Sequence, residues 1–306
     1  MITKLQNDPI LKAESDRLHY ATGELLGADD FRDEQTYHRR QLAHTLLFLN
    51  GSGTVAGLRV VARHRPGNKP ADDEVHLEVQ PGLAIDRAGR LIEVPRAACL
   101  RLRRWYDYVA TQTADSTLPD VSDLRAAFHG DVVVADIFLA FHACDRGYTP
   151  AFASGPFDSL DASQPSRVRD AYELSLVLRP EVNPPIAFDP WSDLSTGATA
   201  AARDAAARQA VLQAWETLAL PPSDHVGDWH ENPAEVDPSA VLLARLHIPA
   251  AAASAPTSPP GADWSAGAWP VPTPSSSAPI EVTPNVDNNV RNFILPAAAV
   301  RRLAGV

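Results

Sequence analysis

The sequence is poor in cysteine, methionine and aromatic residues. Its 306 residues include two cysteines and one methionine, and 7% of them are aromatic. Two cysteines cannot form the disulfide framework that holds a small secreted domain together. Cys99 and Cys144 each lie in an apolar run, and this setting favours two buried, structural thiols.

Basic residues are scarce as well. The chain has 27 lysines and arginines against 38 aspartates and glutamates, so its formal net charge is -11. A charge of this sign opposes binding to nucleic acid and to anionic membranes. The start has no apolar run typical of a signal peptide, and no stretch reaches the roughly 20 apolar residues of a transmembrane helix. We therefore expect cytoplasmic synthesis and assembly, no nucleic-acid partner and no direct insertion into a membrane.

A well-marked helix is present near the start of the chain. Asp29 or Asp30 can cap a helix that begins near Phe31, and Asn50 with Gly51 can end it. Spacings of three and four place one stripe of residues along this helix, polar at first and apolar later: Phe31, Gln35, His38, Leu42, Leu46 and Leu49. Residues 1–60 are thus predicted to form a docking helix and the first strand.

Residues 61–249 are predicted to form a β-rich core. Alternating apolar residues indicate a hairpin around the turn at Asp86–Gly89. The most apolar run, "GDVVVADIFLAFHACD", is typical of a central strand, and "AYELSLVLRP" and "SAVLLARLHIPA" are typical of two more. The stretch "RGYTPAFASGPFDSLDASQPS" is typical of a loop.

The core region also contains one alanine-rich helix, predicted from about residue 196 to about residue 220. We expect it to dock on the sheet through one edge, formed by Val211, Leu212, Trp215 and Leu218.

Residues 250–284 are rich in proline, alanine and serine, which favours an extended segment without a core of its own. Residues 285–306 are predicted to form a short strand or turn followed by a small helix.

Together these predicted elements indicate a β-dominant α+β fold. An N-terminal helix leads into an antiparallel sheet or sandwich of about six to eight strands, with the alanine-rich helix and long, irregular, proline-rich extensions. One domain is favoured over two.

Known catalytic motifs are missing from the sequence. The stretch "NGSGTVAG" lacks the G-x-G-x-x-G spacing and follows a helix, whereas phosphate sites precede one. His38 lies outside any H-E-x-x-H motif. Asp86 could be a lone catalytic carboxylate, but D-x-x-G between apolar strands is typical of a turn. We therefore expect a protein that is not an enzyme and that holds no cofactor.

The densest polar cluster lies in "SDHVGDWHENPAEVD". Its members could ligate a divalent metal in a metal-dependent hydrolase: Asp224, His225, Asp228, His230 and Glu231. Their spacing matches no known zinc pattern, and the proline and glycine residues indicate a loop. A solvated loop is the preferred interpretation, and no metal is expected.

Two arginines stand at the predicted entry to a strand. Arg167 and Arg169 lie in "SRVRDAYEL", with acidic residues nearby. Guanidinium groups can make bidentate salt bridges across an interface, or they can simply line a solvated strand entry. The sequence leaves both interpretations open.

The stretch from Gly23 to Val60 resembles the start of a family of mostly uncharacterised bacterial proteins, encoded beside phage-tail-like contractile injection systems and their baseplates. The shared features are a G-x-L-L-x-x-x-D-F-x-x-E-Q-x-Y stretch, a helix, and a G-x-V-x-G-L-x-V strand. They match Gly23, Leu25, Leu26, Asp30, Phe31, Glu34, Gln35, Tyr37, Gly53, Val55, Gly57, Leu58 and Val60. The pieces "VQPGLAIDRAGRLIEVP", "SRVRDAYELSLV", "LLARLHI" and "DNNVRNFIL" are similar too. Where the family usually has a tryptophan, this chain reads Asn50-Gly51-Ser52-Gly53.

This resemblance implies a structural role in the particle, as a baseplate-associated piece, a fibre adaptor or a cage piece. Its partners would be baseplate, fibre or sheath proteins. Because such particles have three- or six-fold symmetry, the resemblance also implies a homo-oligomer around such an axis. The residues that we predict at interfaces are Leu25, Leu26, Phe31, Gln35, Tyr37, His38, Leu42, Arg167, Arg169, Trp264 and Trp269.

A second hypothesis is a carbohydrate- or receptor-binding β module. Four tryptophans fall in predicted loops, where aromatic faces can stack on sugars: Trp191, Trp229, Trp264 and Trp269.

Overall fold

A computed structural model describes residues 8–11, 16–65, 74–102, 104–105, 108–109, 127–129, 132–150, 163–181, 183–187, 199–218, 231–233, 236–249 and 284–303. The fold of these residues is α+β with strands dominant, and the predicted fold class is confirmed. The helices whose bounds lie within the described residues are α1 (Ala28–Asn50), α2 (Ala200–Leu218) and α3 (Ala297–Leu303), preceded by a 3₁₀ turn at Pro9–Leu11. The described residues among 102–109 are also helical. None of these helices is both long and apolar enough to cross a lipid bilayer.

The strands run antiparallel to their neighbours in three sheets. One sheet has the order β1 (Gly53–Gly57), β4 (Gly82–Ile85), β5 (Leu91–Val94), and a second the order β2 (Val60–Arg65), β3 (Glu74–Val79), β6 (Ala98–Arg101). The largest has the order β11 (Asn285–Asp287), β10 (Val241–Pro249), β8 (Val132–Pro150), β7 (Phe128–His129), with β9 (Ser163–Leu178) also paired to β8.

The strand number differs from the six to eight that the sequence predicted. The described residues form eleven strands, because very short segments such as β7 also pair with the sheet. The hairpin around Asp86–Gly89 is confirmed and consists of β4 and β5. The preceding strand β3 does not join it, because Pro81 and Gly82 lead the chain from one sheet into another.

The predicted central strand is confirmed as β8. It is buried on both faces from Val133 to Phe141. Its odd-numbered residues join the main core cluster with residues of β2, β3, β5, β9 and β10, whereas Phe138 and Ala140 join a smaller cluster on the other face. A strand covered on both faces needs a continuous apolar run, which explains its sequence.

α1 begins at Ala28, three residues before the predicted start. Gly27 is the N-cap, and its backbone N–H donates to Asp30 Oδ2 at 2.6 Å. Asp30 thus stabilises the helix start from inside the first turn, where a carboxylate also faces the positive end of the helix dipole. The predicted end is confirmed: Gly51 has a φ of 78° and its N–H donates to the Leu47 carbonyl at 2.8 Å.

Part of the predicted loop 146–166 is strand. β8 continues to Pro150 and β9 already begins at Ser163, with Arg146 opposite Arg167 and Tyr148 opposite Pro165. Residues 151–162 lie outside the described part of the chain. The local sequence is rich in turn-forming residues, and long-range pairing overrides this local preference.

The prediction of two buried thiols is wrong for Cys99. Its side chain is exposed, and Cys144 is half-buried. Along β6 the exposed and half-buried positions alternate, and Cys99 falls on the exposed face. Cys144 lies where β8 leaves the core.

The residues 284–294, here called the C-terminal clasp, hold the first strands. Asn288 Oδ1 accepts from the Val60 N–H at 2.9 Å, and its Nδ2 donates to the Val60 carbonyl at 3.1 Å. Arg291 Nη1 donates to the Leu58 carbonyl at 2.7 Å. Thr54 pairs with the clasp through an isolated parallel bridge to Phe293. The predicted strand and small helix at this end are β11 and α3.

Candidate functional site

One face of α1 packs on the rest of the protein. Ala43 and Leu47 are buried, and Ala43 forms a small apolar cluster with Ile10 of the 3₁₀ turn and Ala88 of the β4–β5 turn. Gly89 lies so close that a Cβ atom there would be 2.0 Å from the Ala43 carbonyl oxygen. The helix therefore lies directly on the turn that joins β4 to β5.

Buried ion pairs hold the same turn. Asp86 is fully buried and accepts hydrogen bonds from the backbone N–H groups of Ala88 and Arg90 at 2.9 and 2.8 Å. Arg90 donates to Asp86 through Nε at 2.7 Å and to Asp8 through Nη1 at 3.0 Å. Asp8 also pairs with Arg39 of α1 at 3.5 Å. Asp86 is thus a structural residue of the turn, as its D-x-x-G setting indicated.

The face of α1 predicted from the stripe is exposed except at Leu46, which is half-buried. The exposed fractions are 50% for Phe31, 58% for Leu42 and 78% for Leu49. Just before the helix, Leu25 is 96% and Leu26 is 37% exposed. Together these five residues form a row of uncovered apolar side chains, here called the apolar row. Exposed apolar groups clustered in this way mark interaction surfaces.

Polar residues of the same stripe separate Phe31 from Leu42 in the apolar row. Gln35 and His38 are exposed, and Tyr37 is half-buried with its ring edge-on to His38. His38 Nε2 lies 4.0 Å from Glu34, whose carboxylate also accepts a hydrogen bond from the Tyr20 hydroxyl. This hydrogen bond raises the pKa of Tyr20 and fixes the segment before α1 against the helix.

α2 contacts the last turns of α1 through one aromatic residue. Trp215 stacks on Phe48 with ring centroids 5.3 Å apart and meets the His44 ring edge-on at 5.9 Å. Burial, and then the neighbouring Arg40, lower the pKa of His44.

The predicted docking of α2 on the sheet is wrong for the described part of its edge, because Trp215 is 62% exposed and contacts α1 instead. Val211 and Leu212 are 65% and 76% exposed. An alanine-rich helix is stabilised by its own backbone propensity, so it can form without burying a continuous apolar edge. The side chain of Leu218 lies outside the described part of the structure.

Arg167 and Arg169 lie within β9 and are exposed. They therefore do not precede a strand, as the sequence had suggested. The predicted interface residues thus form two groups in the structure, one at α1 and one on β9. Trp264 and Trp269 lie outside the described residues, as do Trp191 and Trp229, so the carbohydrate-binding hypothesis stays a prediction.

The sequence analysis missed a group of buried charges in the largest sheet. Asp136 and Arg245 stand opposite each other on β8 and β10, and the guanidinium is bidentate to the carboxylate at 2.8 and 2.9 Å. Arg179 lies 3.6 Å from the same carboxylate. Burial raises the pKa of Asp136, and the two arginines oppose this shift. The sequence does contain a signal for this pair. Asp136 and Arg245 have opposite charges, and each is the single charge inside an apolar run.

Glu231 belongs to a neighbouring buried group. Its carboxylate pairs with Arg87, and its carbonyl accepts from Arg179 Nη1 at 2.6 Å. Burial lowers the pKa of Arg87 to about 9. Of the five residues in the predicted metal cluster, Glu231 is the only one within the described part, and there it serves as an ion-pair partner. Asp224, His225, Asp228 and His230 lie outside it.

Chemistry at these buried charges is limited by access. A cleft beside them is lined by Gly53, Arg87, Glu231, Leu242 and Asn292, among others, and has a volume of about 10 Å³. This is room for about one water molecule. Across the described ranges, no group of three or more histidine, cysteine, aspartate or glutamate side chains is arranged to hold a metal ion.

Among the described residues, the feature that best fits a binding site is therefore the apolar row of α1. It is held rigidly from behind by Gly89, Asp8 and Arg90, and it is uncovered in front. Comparison with known proteins adds no relative: no protein-family model matches the chain, and no curated protein matches it.

Proposed function

We propose that this protein is a non-enzymatic structural component of a contractile, phage-tail-like particle, assembled in the cytoplasm. In this proposal the apolar row of α1 docks on a neighbouring subunit at the baseplate, a fibre or the cage. The observation that supports it most directly is the exposure of Phe31, Leu42 and Leu49 on a helix whose other face is fixed to the protein, with the exposed Leu25 just before it.

Rigidity supports docking over catalysis. A helix anchored by a backbone contact and by ion pairs presents its outer side chains without a large loss of conformational entropy on binding. The buried charges that could serve chemistry are instead paired with one another, as Asp86 is with Arg90 and Asp136 with Arg245. The particle itself is inferred from the resemblance of residues 23–60.

Fractionation of the native host on a density gradient tests the proposal. We expect the tagged wild-type protein to sediment with sheathed particles, and electron microscopy then shows which part of the particle carries the tag. Phe31→Ser/Leu42→Ser is expected to move the protein out of the particle fractions. These positions are exposed, so the variant keeps its fold.

A matched control separates docking from a general loss of apolar surface. Val211→Ser/Leu212→Ser removes two apolar residues of α2 that are even more exposed, at 65% and 76%, and it is expected to stay with the particles. A wild-type protein that remains at the top of the gradient as a monomer overturns the proposal.

A further inference from the structure

The β8–β9 hairpin extends beyond the core as a two-stranded ribbon, formed by residues 143–150 and 163–170. β10 pairs with β8 only as far as Leu139, whereas β9 follows β8 to Pro150. Residues 145–150 and 165–170 are exposed on both strands. A lone two-stranded hairpin is marginally stable in water. A partner that packs on the ribbon would therefore stabilise it.

One face of the ribbon carries three arginines and a tyrosine. Arg146 stands directly opposite Arg167, Arg169 follows two positions later, and Tyr148 is the next residue of β8 on this face. Side chains alternate along a strand, so the four share one side. Tyr148 is 69% exposed. We name these four residues the arginine face.

Among the described residues, the arginine face has no counter-charges. Like charges directly opposite each other destabilise a strand pair. None of the three guanidinium groups makes an ion pair within the part of the chain that the structure describes. The acidic residues of the ribbon, Asp145 and Asp170, alternate onto the other side. Arginine binds carboxylates in a bidentate manner, so a surface with several carboxylates is the partner that fits.

A surface of that chemistry lies at the start of α1. Between residues 24 and 34 the chain has five carboxylates and one guanidinium, from Glu24, Asp29, Asp30, Asp33, Glu34 and Arg32. These side chains are exposed or half-exposed, and the exposed Leu25 and Phe31 lie among them. We name residues 24–34 the acidic start of α1. Its mixture of carboxylates and apolar groups complements arginines and a tyrosine.

We infer that the arginine face of one copy binds the acidic start of α1 in a second copy of this chain. The three arginines have no ion-pair partner among the described residues. In the acidic start Asp29 pairs with Arg32 at 2.6 Å, and the other carboxylates leave this patch with an excess of negative charge. No ion pair of the described residues joins the two surfaces within one chain. The contact is head-to-tail, so it produces a closed ring where the rotation closes and an open filament where it does not. The inference rests in part on the proposed docking role of α1, and it names the partner of that surface.

Sedimentation velocity of the purified full chain tests the inference. The wild type is expected to form species larger than a monomer as its concentration rises, and added salt is expected to weaken them because exposed charges are screened. Reversing the charges in Arg146→Glu/Arg167→Glu places carboxylates against carboxylates and is expected to weaken self-association about a hundredfold. Asp29→Lys/Asp33→Lys is expected to have the same effect from the other side.

Mixing the two variants gives the sharpest readout. The glutamates of the first variant face the lysines of the second, and the two unchanged surfaces also match. The mixture is therefore expected to associate although neither variant does so alone. Arg301→Glu/Arg302→Glu, a double reversal at two exposed arginines of α3, is the matched control and is expected to associate like the wild type.

Three results would each overturn the inference: a wild type that stays monomeric throughout, reversed variants that associate like the wild type, or a mixture that does not associate. The outcome is separable from that of the particle proposal. A chain that is monomeric when pure but sediments with particles refutes self-association alone. A chain that self-associates but never sediments with particles refutes the particle role alone.

Discussion

Gly89 and Ala43 meet backbone to backbone. A Cβ atom at Gly89 would lie 2.0 Å from the Ala43 carbonyl oxygen, and the φ of Gly89 is +80°. Because backbone atoms cannot yield as a flexible side chain can, α1 reaches the β4–β5 turn only when this residue is glycine.

Gly89→Ala is therefore expected to lower the free energy of unfolding by about 3 kcal/mol or more, through the clash and the positive φ together. Gly51→Ala is the control, because Gly51 has a φ of +78° but open space around its Cβ position. It is expected to cost about 1–2 kcal/mol, which is the cost of the backbone conformation alone. Urea unfolding of both variants gives the difference, and equal losses would show that the close contact does not matter.

Two leucines of α1 are expected to differ strongly. Leu47 is 4% exposed and Leu42 is 58% exposed. Leu47→Ala is expected to cost about 2–4 kcal/mol of unfolding free energy, because it leaves a cavity under the helix. Leu42→Ala is expected to change it by less than about 0.5 kcal/mol. Chemical denaturation checks both, and a large loss at Leu42 would mean that the apolar row is covered within the monomer.

Removal of the Asp136 carboxylate is expected to be costly. Asp136→Asn leaves the buried Arg245 without its anion, which costs about 3–5 kcal/mol in comparable buried pairs. Arg179 keeps its second partner, Glu181, at 3.2 Å. The control Glu78→Gln breaks the more exposed pair with Arg63, whose atoms lie 2.8 Å apart, and is expected to cost less than about 1 kcal/mol. If both substitutions cost the same in urea unfolding, the buried pair contributes no more than a surface one.

Acid is expected to weaken the contact between α1 and α2. The pKa of His44 is lowered, by burial and by Arg40, so the unfolded chain takes up its proton at a higher pH than the folded chain does. Stability from this group is then present when histidine is neutral and is lost as the pH falls through the histidine range. Between about pH 8 and about pH 5 the wild type should lose more unfolding free energy than His44→Gln. An equal loss in both would exclude His44 as the cause.

The helices and main strands could be predicted from the sequence because their signals are local. Periodic leucines and a terminal glycine marked α1, and continuous apolar runs marked β8 and β10. The buried face of α1 could not be predicted. Larger residues such as Phe31 and Leu42 seemed to favour the opposite face, but the packing of Ala43 against Ile10 and Ala88 determines which face is buried.

Features that depend on pairing between distant residues were missed because no local pattern marks them. The ribbon contains proline and glycine, which locally favour a loop, and only the register of β8 with β9 shows that Arg146 opposes Arg167. The pair of Asp136 and Arg245 joins residues 109 positions apart. Leu25 and Phe31 belong to a local pattern that needs no partner within the chain, and their place at an interface stays a prediction.

The C-terminal clasp also sets the time at which the protein can finish folding. The Asn288 side chain forms hydrogen bonds with the N–H and the carbonyl of Val60, although the two residues are 228 positions apart in the chain. A chain emerging from the ribosome therefore has its first strands long before it has the residues that close them. Until residue 294 has been made, the edge of Thr54 and Val60 stays open to water, to chaperones or to the same edge of another nascent chain.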